Sequence, residues 1–270
     1  FVSEQPWLNF HAIRILAERS AAGEDLKLPR EILQIDHVLA KRPVTQRLPA
    51  LWALHATGGC PEAVLERLLD DPSENIRVWA VRFAAEAGRL SPALQKKITT
   101  MAESDESGLV LTYLASIMNR LPYEQRWPIA RQLVRHRLFA NDRVFPLMVW
   151  YAIEPALLSN AEAAVQLAVN SKLPLVREFI ARRLTEEIER RPNTVEQLVS
   201  VLAGKVTSES QKHDILHGMT DALRGWRKAP QPKIWKQASL ALNTSSNDEI
   251  SRLTRELSLV FGDGRAMDEL

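Results

Sequence analysis

Asp70-Asp71-Pro72-Ser73-Glu74-Asn75-Ile76-Arg77-Val78-Trp79-Ala80-Val81-Arg82-Phe83-Ala84-Ala85-Glu86-Ala87-Gly88 carries the signals of one complete helix. Asp71 is placed to cap it, Pro72 suits the first helical position, and Glu74 stands three residues after the cap. Ile76, Ala80, Phe83, Ala84 and Ala87 fall on one face at helical spacing. Gly88 closes the unit as a left-handed terminator.

The same design recurs on both sides. Upstream, a helix runs from Gln5-Pro6-Trp7 to about Ser20, with Trp7, His11, Ile15, Ala12 and Leu16 roughly on one face. Leu28-Pro29 starts a second, with Ile32, Leu33, Ile35 and Val38-Leu39 as its apolar residues. Thr45 to Thr57 stops at Gly58-Gly59, and Cys60-Pro61 opens the helix before Asp70. Downstream, Ser91-Pro92 is another cap-and-proline start. Leu109 to Leu121 and Trp127 to Phe139, with Ile129, Leu133 and Leu138 inward, follow. Phe145 to Leu158 is apolar nearly all round and is expected to be the most buried helix. Ala161 to Val169, a short helix, then Pro174 to Arg190, Thr194 to Ala203, Glu209 to Arg227, Ile234 to Leu242 and Ile250 to Phe261 complete a count of about fourteen helices. No alternation bounded by hairpin signals marks a strand.

In register, Gln46-Arg47 with Ala50 and Leu54 matches Ile76-Arg77 with Ala80 and Ala84. Val110-Leu111, Leu147-Met148 and Val176-Arg177 follow at spacings of roughly 30–40 residues. Asp71-Pro72 before Ile76-Arg77 resembles a HEAT repeat, and Leu173-Pro174-Leu175-Val176-Arg177 is a second such copy. A single helix pair cannot bury its own apolar stripe, whereas stacked pairs bury it for one another. The expected fold is therefore all-α: an α-α superhelix, a HEAT-like or armadillo-type solenoid, over residues 1–270 as a single helical repeat domain. The arginines of the repeat are expected to be structural.

The chain has 270 residues, enough for a sizeable core. Lys and Arg number 35 against 33 Asp and Glu, a net charge of +2. That balance does not favour electrostatic binding of nucleic acid beyond a local patch. The lone Cys60 forms no internal disulfide. No apolar run is long enough to span a bilayer. The chain opens on Phe1 and reads as a piece of a longer protein.

Chemistry-bearing residues are sparse. His213 and His217 stand four apart on one helix, a spacing that can hold zinc given a third ligand. Asp214 takes the place where a zinc protease needs glutamate, so a packed or partly exposed pair is the better reading. Glu154, inside the most apolar helix, is expected to pair with an arginine of a neighbouring helix. Arg131, Arg135, His136 and Arg137 form a basic cluster read as a solvated face. Cys60 has no base placed near it by sequence. Trp226, Arg227 and Trp235 mix aromatic and cationic character around a proline break, the composition of a docking surface.

Several segments together resemble one family. They are Gln5-Pro6-Trp7-Leu8-Asn9-Phe10-His11 through Arg19; Leu51-Trp52-Ala53-Leu54-His55; Met148-Val149-Trp150-Tyr151-Ala152-Ile153-Glu154-Pro155; His217-Gly218-Met219 through Leu223-Arg224-Gly225; Pro232 and Trp235; and Phe261-Gly262-Asp263. In this order they look like the HEAT-repeat region of the large membrane-bound dehydrogenases of planctomycetes. Those proteins join a sugar-dehydrogenase-like propeller, a helical repeat region and a cytochrome c domain. The resemblance implies an exported, periplasmic parent. This chain has no Cys-x-x-Cys-His haem motif and no propeller strands, and no catalytic residue carries over.

The functional expectation is a non-catalytic scaffold, with no cofactor, that spaces or docks protein domains of a dehydrogenase-like electron-transfer protein. The competing reading is a nucleic-acid-binding HEAT-repeat enzyme of the DNA glycosylase type, which needs a basic, aromatic groove with an acid at its centre.

Overall fold

The structure, a computed structural model, describes residues 5–38, 42–204 and 208–262. Leu39 and Asp263 lie outside these residues, as do the side chains of Ile35 and Val38. Fifteen α-helices and no strand are found among the described residues. They are α1 (Pro6–Ala21), α2 (Lys27–Val38), α3 (Val44–Ala56), α4 (Glu62–Leu68), α5 (Glu74–Ala84), α6 (Pro92–Ser104), α7 (Gly108–Met118) and α8 (Tyr123–Leu133). After a 3-10 turn, Arg137–Phe139, come α9 (Phe145–Leu157), α10 (Ala161–Asn170), α11 (Pro174–Thr185) and α12 (Pro192–Ala203). The series closes with α13 (Glu209–Ala222), α14 (Trp235–Leu242) and α15 (Asp248–Val260).

The helices pack in two rows. Each odd-numbered helix lies against the next odd-numbered one, from α1 to α15. Even-numbered helices from α4 to α14 do the same, and most also pack on the odd helix that follows. One large apolar cluster runs from Leu51 to Phe261 through both rows. A small second cluster of Leu33, Ala50, Ala53 and Leu54, with Ile13 and Leu16 against it, holds α1 to α3 together. Of the expected α1 face, Trp7 and His11 are exposed while Leu16 packs on this cluster, joined by Ile13.

The unit around Arg77 starts later than its sequence suggests. Ser73 is the N-cap of α5, without a side-chain bond, and Pro72 lies outside the helix. Asp71 does other work. Its Oδ1 accepts the Ser73 backbone N–H at 2.9 Å and an Arg47 Nη1–H at 3.1 Å. With α5 beginning at Glu74, the amide within reach of Asp71 is that of Ser73, in the turn before the helix. The helix ends at Ala84, so Ala87 is exposed, while Gly88 adopts φ +73° at the end of the following turn.

The expected helix from Trp127 to Phe139 is also redrawn. It starts at Tyr123, accommodates Pro128 internally and stops at Leu133. The break re-aims the chain, so Leu138 is 94% exposed and Phe139 enters instead, edge-on to Phe145 at 5.7 Å. Gly108 makes room for it, because a Cβ there would lie 2.7 Å from Phe139 Cε1. In α9, Phe145, Val149, Ala152, Ile153 and Leu157 are buried but Tyr151 is exposed, so that helix is not buried all round.

Each repeat arginine reaches forward from its odd helix to an acid: Asp71 in the turn before α5, Asp105 between α6 and α7, and Asp214 on α13. Arg47, Arg77 and Arg177 each stand four residues after their N-caps, Pro43, Ser73 and Leu173. Arg47 pairs with Asp71, Arg77 with Asp105 through Nε at 2.8 Å, and Arg177 with Asp214 through Nε at 2.8 Å. The remaining guanidinium N–H groups close the preceding turn: Arg77 Nη1 donates to Asp71 O and Arg177 Nη1 to Ser171 O. Leu111 and Met148 hold the same position in α7 and α9, where the contact is purely apolar.

Candidate interaction face and neighbouring clefts

The repeat register also positions a row of aromatic side chains. Trp79, Tyr113, Trp150 and Phe179 each lie six residues after the N-caps Ser73, Ser107, Val144 and Leu173. Six residues is about one and two-thirds turns, so all four project from corresponding faces of α5, α7, α9 and α11. All four are half-buried, whereas the flanking aliphatic positions are fully buried. The row continues toward α1: Trp79 meets Trp52 edge-on at 5.1 Å, and Trp52 stacks on Phe10 at 6.0 Å. Arg82 lies 4.0 Å over the Trp79 ring and 5.8 Å from that of Tyr113, a cation-π bridge between α5 and α7. His55 stacks on Phe83 at 3.6 Å and meets Glu86 Oε2 through Nε2 at 2.8 Å. Trp150 and Phe179 pair edge-on at 5.3 Å between α9 and α11. The sequence contains this signal two residues beyond Arg77, Leu111, Met148 and Arg177, once the register is set, whereas Arg47 has Pro49 at that position.

The residues expected to form a docking surface do not act together. Trp235 is fully buried: its Nε1–H donates to Ser258 Oγ at 3.0 Å and its ring meets Phe261 at 5.0 Å. An indole with its N–H satisfied inside the core is a packing residue, so the assignment of Trp235 to a surface is corrected. Arg227 is exposed. Trp226 is half-buried and lines a cleft of about 250 Å³ between α13 and α15, with His217, Asp221, Arg224, Arg252 and Glu256 around it.

That cleft borders the histidine pair. His213 and His217 stack with centroids 6.0 Å apart, but their nitrogens turn to different partners. His213 Nδ1 faces Asp214 Oδ1 at 3.2 Å, and His217 Nδ1 faces Glu178 Oε1 at 3.2 Å. The His217 contact lacks hydrogen-bond alignment, and Thr220 Oγ1 beside it is buried without a partner. Ligand-type atoms of Glu178, His217 and Asp221 lie within 4.8 Å of one another. Asp221 is already ion-paired with Arg224, which opposes a cation there. Gly218 brings α13 onto α11 at this point: a Cβ on it would lie 2.2 Å from Glu178 O.

Glu154 pairs with Arg183 of α11, Oε1 accepting from Nε at 3.0 Å, and Glu187 takes the other side of the guanidinium. Burial pulls the Arg183 pKa down, but hydrogen bonds to Glu187 and Glu154 outweigh it and hold the group above its ordinary value. An acid so bound is a tie between α9 and α11. Cys60 touches both apolar clusters, and burial pushes its thiol up to about 12. It is therefore a protonated packing group at neutral pH.

The basic cluster divides. His136 turns inward, with Nε2 2.7 Å from Ala102 O, and Arg137 stands exposed on the 3-10 turn. Arg131 and Arg135 line a separate cleft between α8 and α10.

Compared with family models, with curated proteins and with solved structures, the chain matches none. Among the described residues, no helix is long and apolar enough to cross a membrane.

Proposed function

We propose that the two rows of helices form a HEAT-like α-solenoid, one α-α superhelical repeat domain, that serves as a non-catalytic protein-interaction scaffold. The observation that carries this reading is the aromatic row at one register position of α5, α7, α9 and α11. An aromatic held half in solvent on four successive odd-numbered helices exceeds what the core requires, since the core is already closed by the aliphatic positions beside it. Half-exposed Trp and Tyr with an arginine among them is the composition of interface hot spots. The closer packing of the odd row suits it to the inner side of a curved stack, where an extended protein segment lies across several helices.

The resemblance to the HEAT-repeat region of planctomycete membrane-bound dehydrogenases gives this segment a natural source. It belongs to a propeller or cytochrome domain of the same long chain, and the scaffold spaces or orients those domains. The glycosylase-type reading is less well supported. It requires cations along the aromatic groove, yet Arg82 is engaged with two rings and Arg183 with two carboxylates.

Site-specific photo-crosslinking tests the scaffold reading, with the reactive group placed at Tyr113 and, as control, at Lys96 on α6. A defined protein linked from Tyr113 but not Lys96, and lost in a Trp79→Ser/Trp150→Ser variant that still folds, supports it. Recovery of nucleic acid that dissociates with salt overturns it.

A further inference from the structure

We propose that the cleft between the C-terminal ends of α8 and α10 is a binding site for a phosphate-type oxyanion. The cleft is an open groove of about 440 Å³, with Arg131, Arg135 and Lys172 exposed along it, and its volume is that of a small-molecule site. Three cations reach it: Arg131 and Arg135 from α8 and the turn after it, and Lys172 from the α10–α11 loop. No carboxylate lines it, and none of the three cations is ion-paired among the described residues. Lys172 is not placed by chance, because its backbone N–H donates to Val134 O at 2.7 Å and fixes that loop to the end of α8. Gln166 and Asn170, one turn apart on α10, add carboxamides to the wall. Arg135 Nη1 donates to Gln132 Oε1 at 3.2 Å, which orients the guanidinium and leaves its other donors free for a ligand.

Two competing explanations fail on magnitude and on comparison within the molecule. Cations gather at helix C-termini to offset the dipole, and both helices end here. Each end amounts to roughly half a negative charge, so two ends leave about two of the three positive charges uncompensated. A merely solvated surface is represented by the corresponding cleft between α4 and α6, also of about 440 Å³. There Arg67, Lys96 and Lys97 are set among Glu66 and Asp70, and Lys97 is ion-paired with Asp70. The α8–α10 cleft has the same cation count without the acids. Guanidinium forks and an ammonium around one small space match the oxygens of a phosphate group.

Titration of the native protein with inorganic phosphate and, separately, with glycerol 3-phosphate in about 0.15 M salt tests the site. The readout is the NMR signals of the Gln166 and Asn170 side-chain amides and of the arginine Nε–H groups. The expected result is saturable binding with Kd near or below about 1 mM. Arg131→Gln and Arg135→Gln each weaken it about tenfold, the loss of one charge-assisted hydrogen bond. Arg137→Gln, outside the cleft, leaves it unchanged. Tighter binding of the ester than of the free ion identifies an organic phosphate as the ligand, and equal binding identifies the ion. Absence of saturation by about 20 mM, more than ten times that Kd, or an unchanged response in the Arg131→Gln/Arg135→Gln protein, overturns the proposal.

Discussion

Arg177 on α11 donates through Nε to Asp214 on α13 at 2.8 Å, and the two side chains are only 6% and 11% exposed. Removing one partner of such a pair leaves a charge in the core with nothing to balance it, which costs about 3–5 kcal/mol. Arg177→Met is therefore expected to lower stability by about 3 kcal/mol or more in urea melts. Arg177→Met/Asp214→Leu recovers most of that loss, because an apolar pair of similar volume replaces both charges. Breaking the Arg89–Glu124 pair, with both side chains more than 60% exposed, changes stability by less than about 1 kcal/mol.

The Arg177–Asp214 bond also shows where sequence reading succeeds and where it stops. The register that aligned Arg47, Arg77 and Arg177 was legible because apolar spacing fixes which helix face is inward, and a charge just inside that face must find a partner. The same logic led from Glu154 to an arginine of a neighbouring helix, found as Arg183 on α11. Asp71 was misread as a cap because local spacing does not reveal a guanidinium arriving from 24 residues upstream. Leu138 is exposed and Phe139 packs inward because the end of α8 was placed six residues too late, and the chain leaves the helical path before either residue. Trp235 looked available because its hydrogen-bond partner, Ser258, comes from another helix. The α8–α10 cleft brings Arg131 beside Asn170, and only the spacing of the even row decides that.

Gly218 marks the closest approach of α11 and α13. A Cβ at this position would lie 2.2 Å from Glu178 O and 3.0 Å from Arg182 N, backbone atoms that cannot rotate away. Gly218→Ala must separate the helices and is expected to lower stability by about 2–3 kcal/mol, the range of core overpacking. Gly225 provides the contrast. Its φ is +84° with open space around it, so Gly225→Ala meets only the left-handed backbone penalty of about 1 kcal/mol. Chemical denaturation of the two variants separates crowding from backbone strain.

Asp142 holds the start of α9. Its Oδ1 accepts the Phe145 N–H at 2.7 Å and the Val144 N–H at 2.8 Å, and these bonds, Phe145 first, hold its carboxyl below the ordinary value. A carboxyl that ionises more readily folded than unfolded stabilises the fold above its unfolded pKa and loses that effect as pH falls through its lower folded value. Asp142→Ala should therefore melt at a lower temperature than the wild type at pH 7. The gap should narrow steadily as pH drops below about 4, the ordinary Asp value. A gap of constant size down to the lowest measurable pH would rule out the carboxylate as its cause.

Cys60 works in the opposite direction at high pH. Burial raises its thiol from an ordinary 9.0 to about 12, so the folded protein keeps a proton that the unfolded chain releases earlier. The resulting stability is complete below pH 9 and is lost as pH rises from there toward 12. Thermal melts of the wild type are thus expected to fall more steeply over that range than those of Cys60→Ala, whose lower starting stability reflects the vacated space. The same burial predicts the thiol's reactivity. Native protein at pH 8 should resist iodoacetamide, while protein in denaturant reacts at the ordinary rate of an exposed thiol. Rapid labelling of the native protein would place Cys60 at the surface and remove it from the contact between the two apolar clusters.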